Sequence, residues 1–232
     1  ELELTGRART HVVELVRPKC TLHYEAVASF LAMRDAAGEA GIDLSAASSF
    51  RDFDRQVQIW NRKWSGERPV LDRGGRAIDV SSLDDSAPLG AILCWSAVPG
   101  GSRHHWGSDV DVVDAAAIPE GYQVQLVPAE YAGEGIFSHL TQWLDANMAR
   151  FGFHRPYATA GCGAGVEPWH LSYLPLAARF ERQLTPALLR RTLEGAALEL
   201  KAVVLDELAE IHARFVATGQ RLAGAGPLHP RS

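Results

Sequence analysis

The 232-residue chain is 47% hydrophobic and 22% charged, an ordinary globular composition that excludes a disordered chain. Its formal charge of −5 gives no basic footprint for nucleic acid. No apolar run approaches the ~18 residues of a membrane-spanning helix. The length suits one large domain, and the sequence reads as a single one over 1–232. Cys20, Cys94 and Cys162 have no paired spacing, which predicts free thiols rather than a disulfide framework or a thiolate zinc site. Free thiols and no visible export segment favour the cytoplasm; a signal removed ahead of Glu1 would instead place the protein in the periplasm.

Apolar residues at helical spacing predict a helix over 23–41, stopping at a glycine. Alternating small and β-branched residues predict a strand over 42–50. RDFDRQVQIWNRKW (51–64) follows as a second helix whose QIWNRKW face covers the core. The Gly- and Pro-punctuated stretch 65–82 predicts a solvated loop. A short apolar helix is expected over 89–98, ended by the PGG turn at 99–101. DVDVV (109–113) alternates and is valine-rich, hence a strand, with Asp114 as its end cap. FSHLTQWLDANMARFG (137–152) predicts a helix with Gly152 as C-cap, and 156–166 a flexible loop feeding EPWHLSYL. From Thr185 to about Thr218 runs a helical pattern, as one long helix or two. Its amphipathic part, 197–215, is expected to pack on the domain, and a Pro/Gly tail follows. Few short strands, unequal helices and no regular β–α alternation define an α+β fold rather than a doubly wound parallel sheet.

Two stretches concentrate chemistry: SRHHWGSDVDVVD (102–114) and EPWHLSY (167–173). A hydrolytic zinc site needs three nitrogen or oxygen ligands, an open position for water and a carboxylate near that water. His104 and Asp111 stand seven apart across Gly107, a spacing for a loop entering a strand rather than for one helix face. Alternation puts Asp109 and Asp111 on the same strand face, so spacing alone leaves both open as ligands. His170 is the best third ligand, because Glu167 lies beside it in a stretch stiffened by Pro168 and Trp169. The same spacings also fit hydrogen-bonded structural histidines.

The ordered set Ser102, His104, Gly107, Asp111, then Glu167, Trp169, His170, with Tyr173 beyond, resembles the VanY-type zinc D-alanyl-D-alanine carboxypeptidases. This group includes D-Ala-D-Ala dipeptidases and shares a fold with lysostaphin-type peptidases and hedgehog. SSFRDFDRQ (48–56) is similar to the same family's arginine motif, matching Ser48, Phe50, Arg51 and Gln56. The resemblance spans about 27–175 and leaves about 185–218 as a C-terminal helical extension. It implies a small, mainly antiparallel central sheet carrying one zinc, flanked by helices. It also implies His104, Asp111 and His170 as zinc ligands and Glu167 as general base. Arg51 would bind substrate and stabilise the oxyanion, with Ser48, Gln56, Ser102, Trp169 and Tyr173 shaping the substrate pocket. If Arg51 holds the oxyanion, Tyr173, Ser48 or Arg55 would take the terminal carboxylate. Trp106 is a further candidate pocket wall.

Two departures stand out: Asp109 replaces a small residue, and Ser49 replaces a glycine. Asp109 is expected either to bond a ligating histidine or to face solvent, and His105 to be a surface or supporting neighbour. The implied substrates are peptidoglycan stem peptides or muropeptides, losing a C-terminal D-alanine by L,D- or D,D-cleavage. With no recognisable wall-binding module, the tetrapeptide is slightly favoured and muropeptide recycling is the expected setting. The alternatives are a peptidoglycan endopeptidase or amidase, and a non-catalytic zinc-stabilised binding module.

Overall fold

The N-terminal residues, where no element was expected, form an antiparallel hairpin of β1 (Val12–Val16) and β2 (Lys19–His23). Cys20 and Leu22 point inward from it. The computed structural model describes residues 1–83, 87–158 and 164–217; Cys162, the middle of the expected 156–166 loop and the tail from residue 218 lie outside them. Helix α1 (Tyr24–Glu39) starts where the His23 imidazole accepts the Glu25 N–H, and buries a stripe of Ala26, Phe30, Met33 and Ala37. Strand β3 (Leu44–Ser48) leads to α2 (Phe53–Trp64), capped by Asp52 through the Arg55 N–H.

The stretch expected as a loop carries a two-residue hairpin, β4 (Val70–Leu71) with β5 (Ala77–Ile78), before α3 (Ala87–Trp95). Next come β6 (Asp109–Asp114), α4 (Pro128–Tyr131), α5 (Ser138–Asn147), β7 (Phe153–His154) and β8 (His170–Tyr173). Gly152 ends the turn after α5 in the left-handed region, as its C-cap role requires. Asp114 caps as expected, accepting the Asp43 and Ala116 N–H groups.

The central sheet is antiparallel, in the order β3-β6-β8-β7. Strand β6 is buried along its whole length. Val110 and Val112 enter a core with Phe30, Leu44, Phe137 and Leu171, which leaves Asp109 and Asp111 on the opposite face. Register does the rest: Asp111 pairs with His170 and Asp109 with Ser172. Two stretches about sixty residues apart in sequence thus meet as direct cross-strand neighbours.

The C-terminal pattern is broken rather than one or two long helices. After α6 (Leu174–Gln183) it comprises α7 (Pro186–Glu194), α8 (Lys201–Asp206), α9 (Leu208–Ile211) and a wide turn over His212–Val216. Residues 195–200 interrupt it because their carbonyls serve α2: Trp60 Nε1 donates to Glu199 O and Asn61 Nδ2 to Ala197 O. Leu189, Leu193, Val204, Leu208 and Ile211 are buried with Trp60, so the segment packs on the chain as expected.

Gly107 joins the turn bearing His104 to β6 at φ +67°, and a Cβ there would lie 2.6 Å from the backbone nitrogen of His23. Gly107→Ala is expected to cost ~2 kcal/mol or more in urea unfolding, combining left-handed strain with a backbone clash. Gly121→Ala, at φ +76° with nothing within 4 Å, isolates the strain alone and should cost less. Equal losses for the two variants would contradict the close approach.

Candidate metal centre

One turn of tight helix over Arg103–Trp106, closed by left-handed Gly107, delivers His104 to the sheet face holding Asp111 and His170. All three side chains are buried, and one ligand atom from each lies within 4.8 Å of the others. His104 Nε2 is 3.4 Å from Asp111 Oδ2, and His170 Nδ1 is 3.1 Å from Asp111 Oδ1. Tetrahedral zinc with bonds of ~2.0–2.2 Å needs ligand atoms roughly 3.3 Å apart. The spacing fits.

The outer hydrogen bonds select the matching tautomers. His104 Nδ1 lies 2.9 Å from the Ser49 carbonyl, which only accepts, so Nδ1 carries the proton and Nε2 keeps its lone pair. His170 Nε2 lies 2.8 Å from Asp109 Oδ2, so Nε2 donates and the Nδ1 lone pair faces Asp111 and Glu167. Asp111 Oδ1 is buried with no hydrogen-bond donor. A carboxylate with one orphaned oxygen, its two oxygens each facing an imidazole lone pair, is the donor set of a divalent cation, and zinc suits it. Burial opposes charge on the His170 ring, but the three surrounding carboxylates of Asp109, Asp111 and Glu167 outweigh it and hold the pKa well above the usual value. The pocket calls for positive charge.

Asp109 is not a solvated strand residue. Its Oδ2 also accepts from Arg103 Nε at 2.9 Å, and its Oδ1 accepts from Ser108 and Ser172 hydroxyls at 2.5 and 2.8 Å. Arg103, fully buried, spends its other nitrogens on Glu181 and Ser172, both at 2.8 Å. Burial opposes ionisation of Asp109, but Arg103 and His170 prevail and keep its pKa far below the carboxylate range. His105 is buried, not at the surface. Its Nδ1 donates to Arg51 O at 2.6 Å and its Nε2 accepts Gly100 N–H at 3.1 Å. Burial pushes its pKa down to about 3, so it is a neutral brace for the arginine loop.

Glu167 Oε2 lies 3.2 Å from His170 Nδ1, beside the three-atom ligand set. Arg51 Nη1 donates to Gln56 Oε1 at 2.7 Å and Nη2 to Ser48 Oγ at 3.2 Å, while Gln56 is anchored on Ala97 O. Ser48 and Gln56 thus position the guanidinium. A cavity of about 730 Å³ opens over the site, and Arg51, Ser102, His104, Asp111, Glu167, Trp169 and His170 all line it. Trp169 packs on Trp95 and Tyr131 at its wall.

Ser48 and Gln56 act through Arg51 rather than on the cavity wall, and two further expected pocket residues are elsewhere. Trp106 is fully buried in the helical core, its ring tilted against Phe180 and its Nε1 donating to Leu4 O. Tyr173 is not on the cavity wall, because β8 turns its ring against Phe153. Sequence reasoning missed Arg103, Ser172, Glu181, Tyr157 and Lys63. Tyr157 packs edge-on against His170. Lys63 had a usable signal: it continues the buried stripe of Phe53, Gln56, Ile59 and Trp60 on α2, a core-facing position for a charge.

Buried His–Asp–His ligands on an antiparallel sheet, beside a carboxylate and an arginine, make the architecture of a metal-dependent peptidase. Residues 19–176 match the family model VanY, D-alanyl-D-alanine carboxypeptidase, and the chain belongs to this family of zinc carboxypeptidases. An uncharacterized protein of Haemophilus influenzae is 46% identical over 98 residues, covering 41% of this chain and 67% of its own length. A mutant of the vancomycin-resistance D,D-pentapeptidase VanY, solved in complex with Zn(II), superposes with TM-score 0.52 at 20% identity, covering 91% of this chain and 88% of its own. The LD-carboxypeptidase LdcB superposes with TM-score 0.51 at 20% identity, covering 88% and 78%. These two share the fold.

Asp109 fixes the His170 ring, so Asp109→Asn should weaken zinc binding by ~10–100-fold in a chelator competition, the usual effect of losing such a partner. An unchanged affinity would show that the ring needs no carboxylate to hold it.

Proposed function

We propose that the protein removes the C-terminal D-alanine from peptidoglycan stem peptides, using one zinc held by His104 Nε2, Asp111 and His170 Nδ1. The observation carrying this is Glu167 Oε2, 3.2 Å from the His170 nitrogen that faces the ligand set, with Arg51 lining the same cavity. When bound, zinc supplies a Lewis acid and lowers the pKa of water from ~15.7 towards ~7. Glu167 accepts the proton of the attacking water and returns it to the departing amine. Arg51 donates to the carbonyl oxygen as negative charge develops, a contribution of ~3–4 kcal/mol for a fixed donor. Its fork is held by Ser48 and Gln56, so its aim does not depend on substrate. Ser102 and Trp169 complete the wall against which the peptide lies.

A pure binding module would require neither a carboxylate beside the ligands nor an anchored arginine. Both tetrapeptide and pentapeptide end in D-alanine, and L,D-cleavage of the tetrapeptide is taken as the preferred reaction. The proposal includes a cytoplasmic location, supported by buried, unpaired Cys20 and Cys94.

Glu167→Gln keeps the side chain's size but cannot take a proton. Zinc content should stay the same while D-alanine release falls by ~100-fold or more. Unchanged turnover would assign the base to another group. Mass spectrometry of tetrapeptide and pentapeptide muropeptides incubated side by side identifies the bond. A pentapeptide trimmed only to tetrapeptide makes the protein a D,D-enzyme and overturns the L,D preference.

A further inference from the structure

Lys63 lines the cavity that holds His104, Asp111 and His170, yet it is only 7% exposed and has no hydrogen-bond or ion-pair partner among the described residues. Every other buried cation there is engaged: Arg51 with Gln56 and Ser48, Arg103 with Asp109, Glu181 and Ser172. Arg68 lies exposed at the rim. Burial pushes the Lys63 ammonium down to about 8, Arg68 and Arg51 add to the fall, and Glu167 opposes it. A cation held this way is costly in the free protein and gains strongly from an incoming anion.

The groups suggested by the sequence for the substrate's carboxylate do not meet the need. Ser48 is occupied by Arg51, exposed Arg55 bonds Gln58, and Tyr173 is not on the cavity wall. We propose that Lys63 is the specificity-determining residue that receives the free terminal carboxylate of the peptide. The inference rests on the carboxypeptidase reading above. The source of the anion follows from covalent geometry. The terminal carboxylate carbon sits only about 3–4 Å from the scissile carbonyl carbon, so its receptor must share the cavity with the metal ligands. Lys63 does, and its charge is felt by both Glu167 and Arg51. A compact ammonium with three donors suits a small terminal carboxylate, while the fixed partners of Arg51 aim it at the carbonyl oxygen.

The test is a four-way comparison of kcat/KM: wild type and Lys63→Met, each on a D-alanine-terminated peptide and on its C-terminal amide. Wild type should lose ~100-fold on amidation, as for a buried charge pair deprived of one member. Lys63→Met should lose a similar factor on the free acid, carried mainly by KM, and then be nearly indifferent to amidation. Its zinc content should match wild type, since an apolar side chain of similar length removes a buried charge. If Lys63→Met does not fold, Lys63→Gln takes its place with the same expectations. Lys63→Arg should restore part of the preference for the acid.

An undiminished amidation penalty in the Lys63 variant overturns the assignment while leaving the carboxypeptidase reading intact. Wild type that cleaves neither peptide, or cleaves acid and amide alike, sinks that reading itself and the Lys63 role with it. The same peptides are run with lysine or diaminopimelic acid as third residue. A Lys63 effect seen only with the extra side-chain carboxylate would assign the residue to that group and overturn the terminal one.

Discussion

Asp109 holds four atoms in place at once. One oxygen accepts from Arg103 and from His170, the other from Ser108 and Ser172. None of these groups has water to fall back on: Arg103, Asp109, Ser108 and Ser172 are all buried. Burying an ion costs several kcal/mol unless it is paired and fully bonded, so the cluster is either complete or strongly destabilising. Completion requires the tight turn before β6, β6 itself, β8 and α6, which brings Glu181 to Arg103, to dock in one arrangement. The metal set is a by-product of that docking, because the bond that satisfies Asp109 also aims His170 Nδ1 at Asp111.

A second consequence is electrostatic. Asp109, Asp111 and Glu167 surround His170, and among the described residues only Asp109 has a full cationic partner, in Arg103. The remaining negative charge is met within the same cavity by Arg51, held on Ser48 and Gln56, and by Lys63. The cavity therefore holds carboxylates suited to a divalent cation and cations suited to an anionic peptide end. Hydrolysis of a bond next to a free carboxylate needs both in one space.

The elements legible in the sequence were those with a local cause. Valine alternation marked β6, the 3.6-residue spacing from Phe53 marked α2, and Gly152 marked the end of the turn after α5. The ligand trio and Glu167 were legible through ordered motifs, and the structure brings all four together. What escaped depends on partners distant in sequence. Arg103 meets Glu181 across 78 residues, and neither signals the other. The breaks in the C-terminal helices come from carbonyls given to Trp60 and Asn61, 139 and 136 positions away. Tyr173 looked like a pocket residue by motif position, but the strand pleat turns it to the far side, against Phe153. Lys63 was readable from helical periodicity alone, because a lysine on a core-facing stripe is an anomaly.

The central claim is that this docking builds a three-ligand cation site with fixed imidazole tautomers. Crystals of zinc-loaded protein, with data collected on both sides of the zinc absorption edge, test it directly. One anomalous peak is predicted, ~2.0–2.2 Å from His104 Nε2, His170 Nδ1 and an Asp111 oxygen, with His170 Nε2 still on Asp109. A peak centred on Asp109 or His105, or a His170 ring flipped to bind through Nε2, would contradict it.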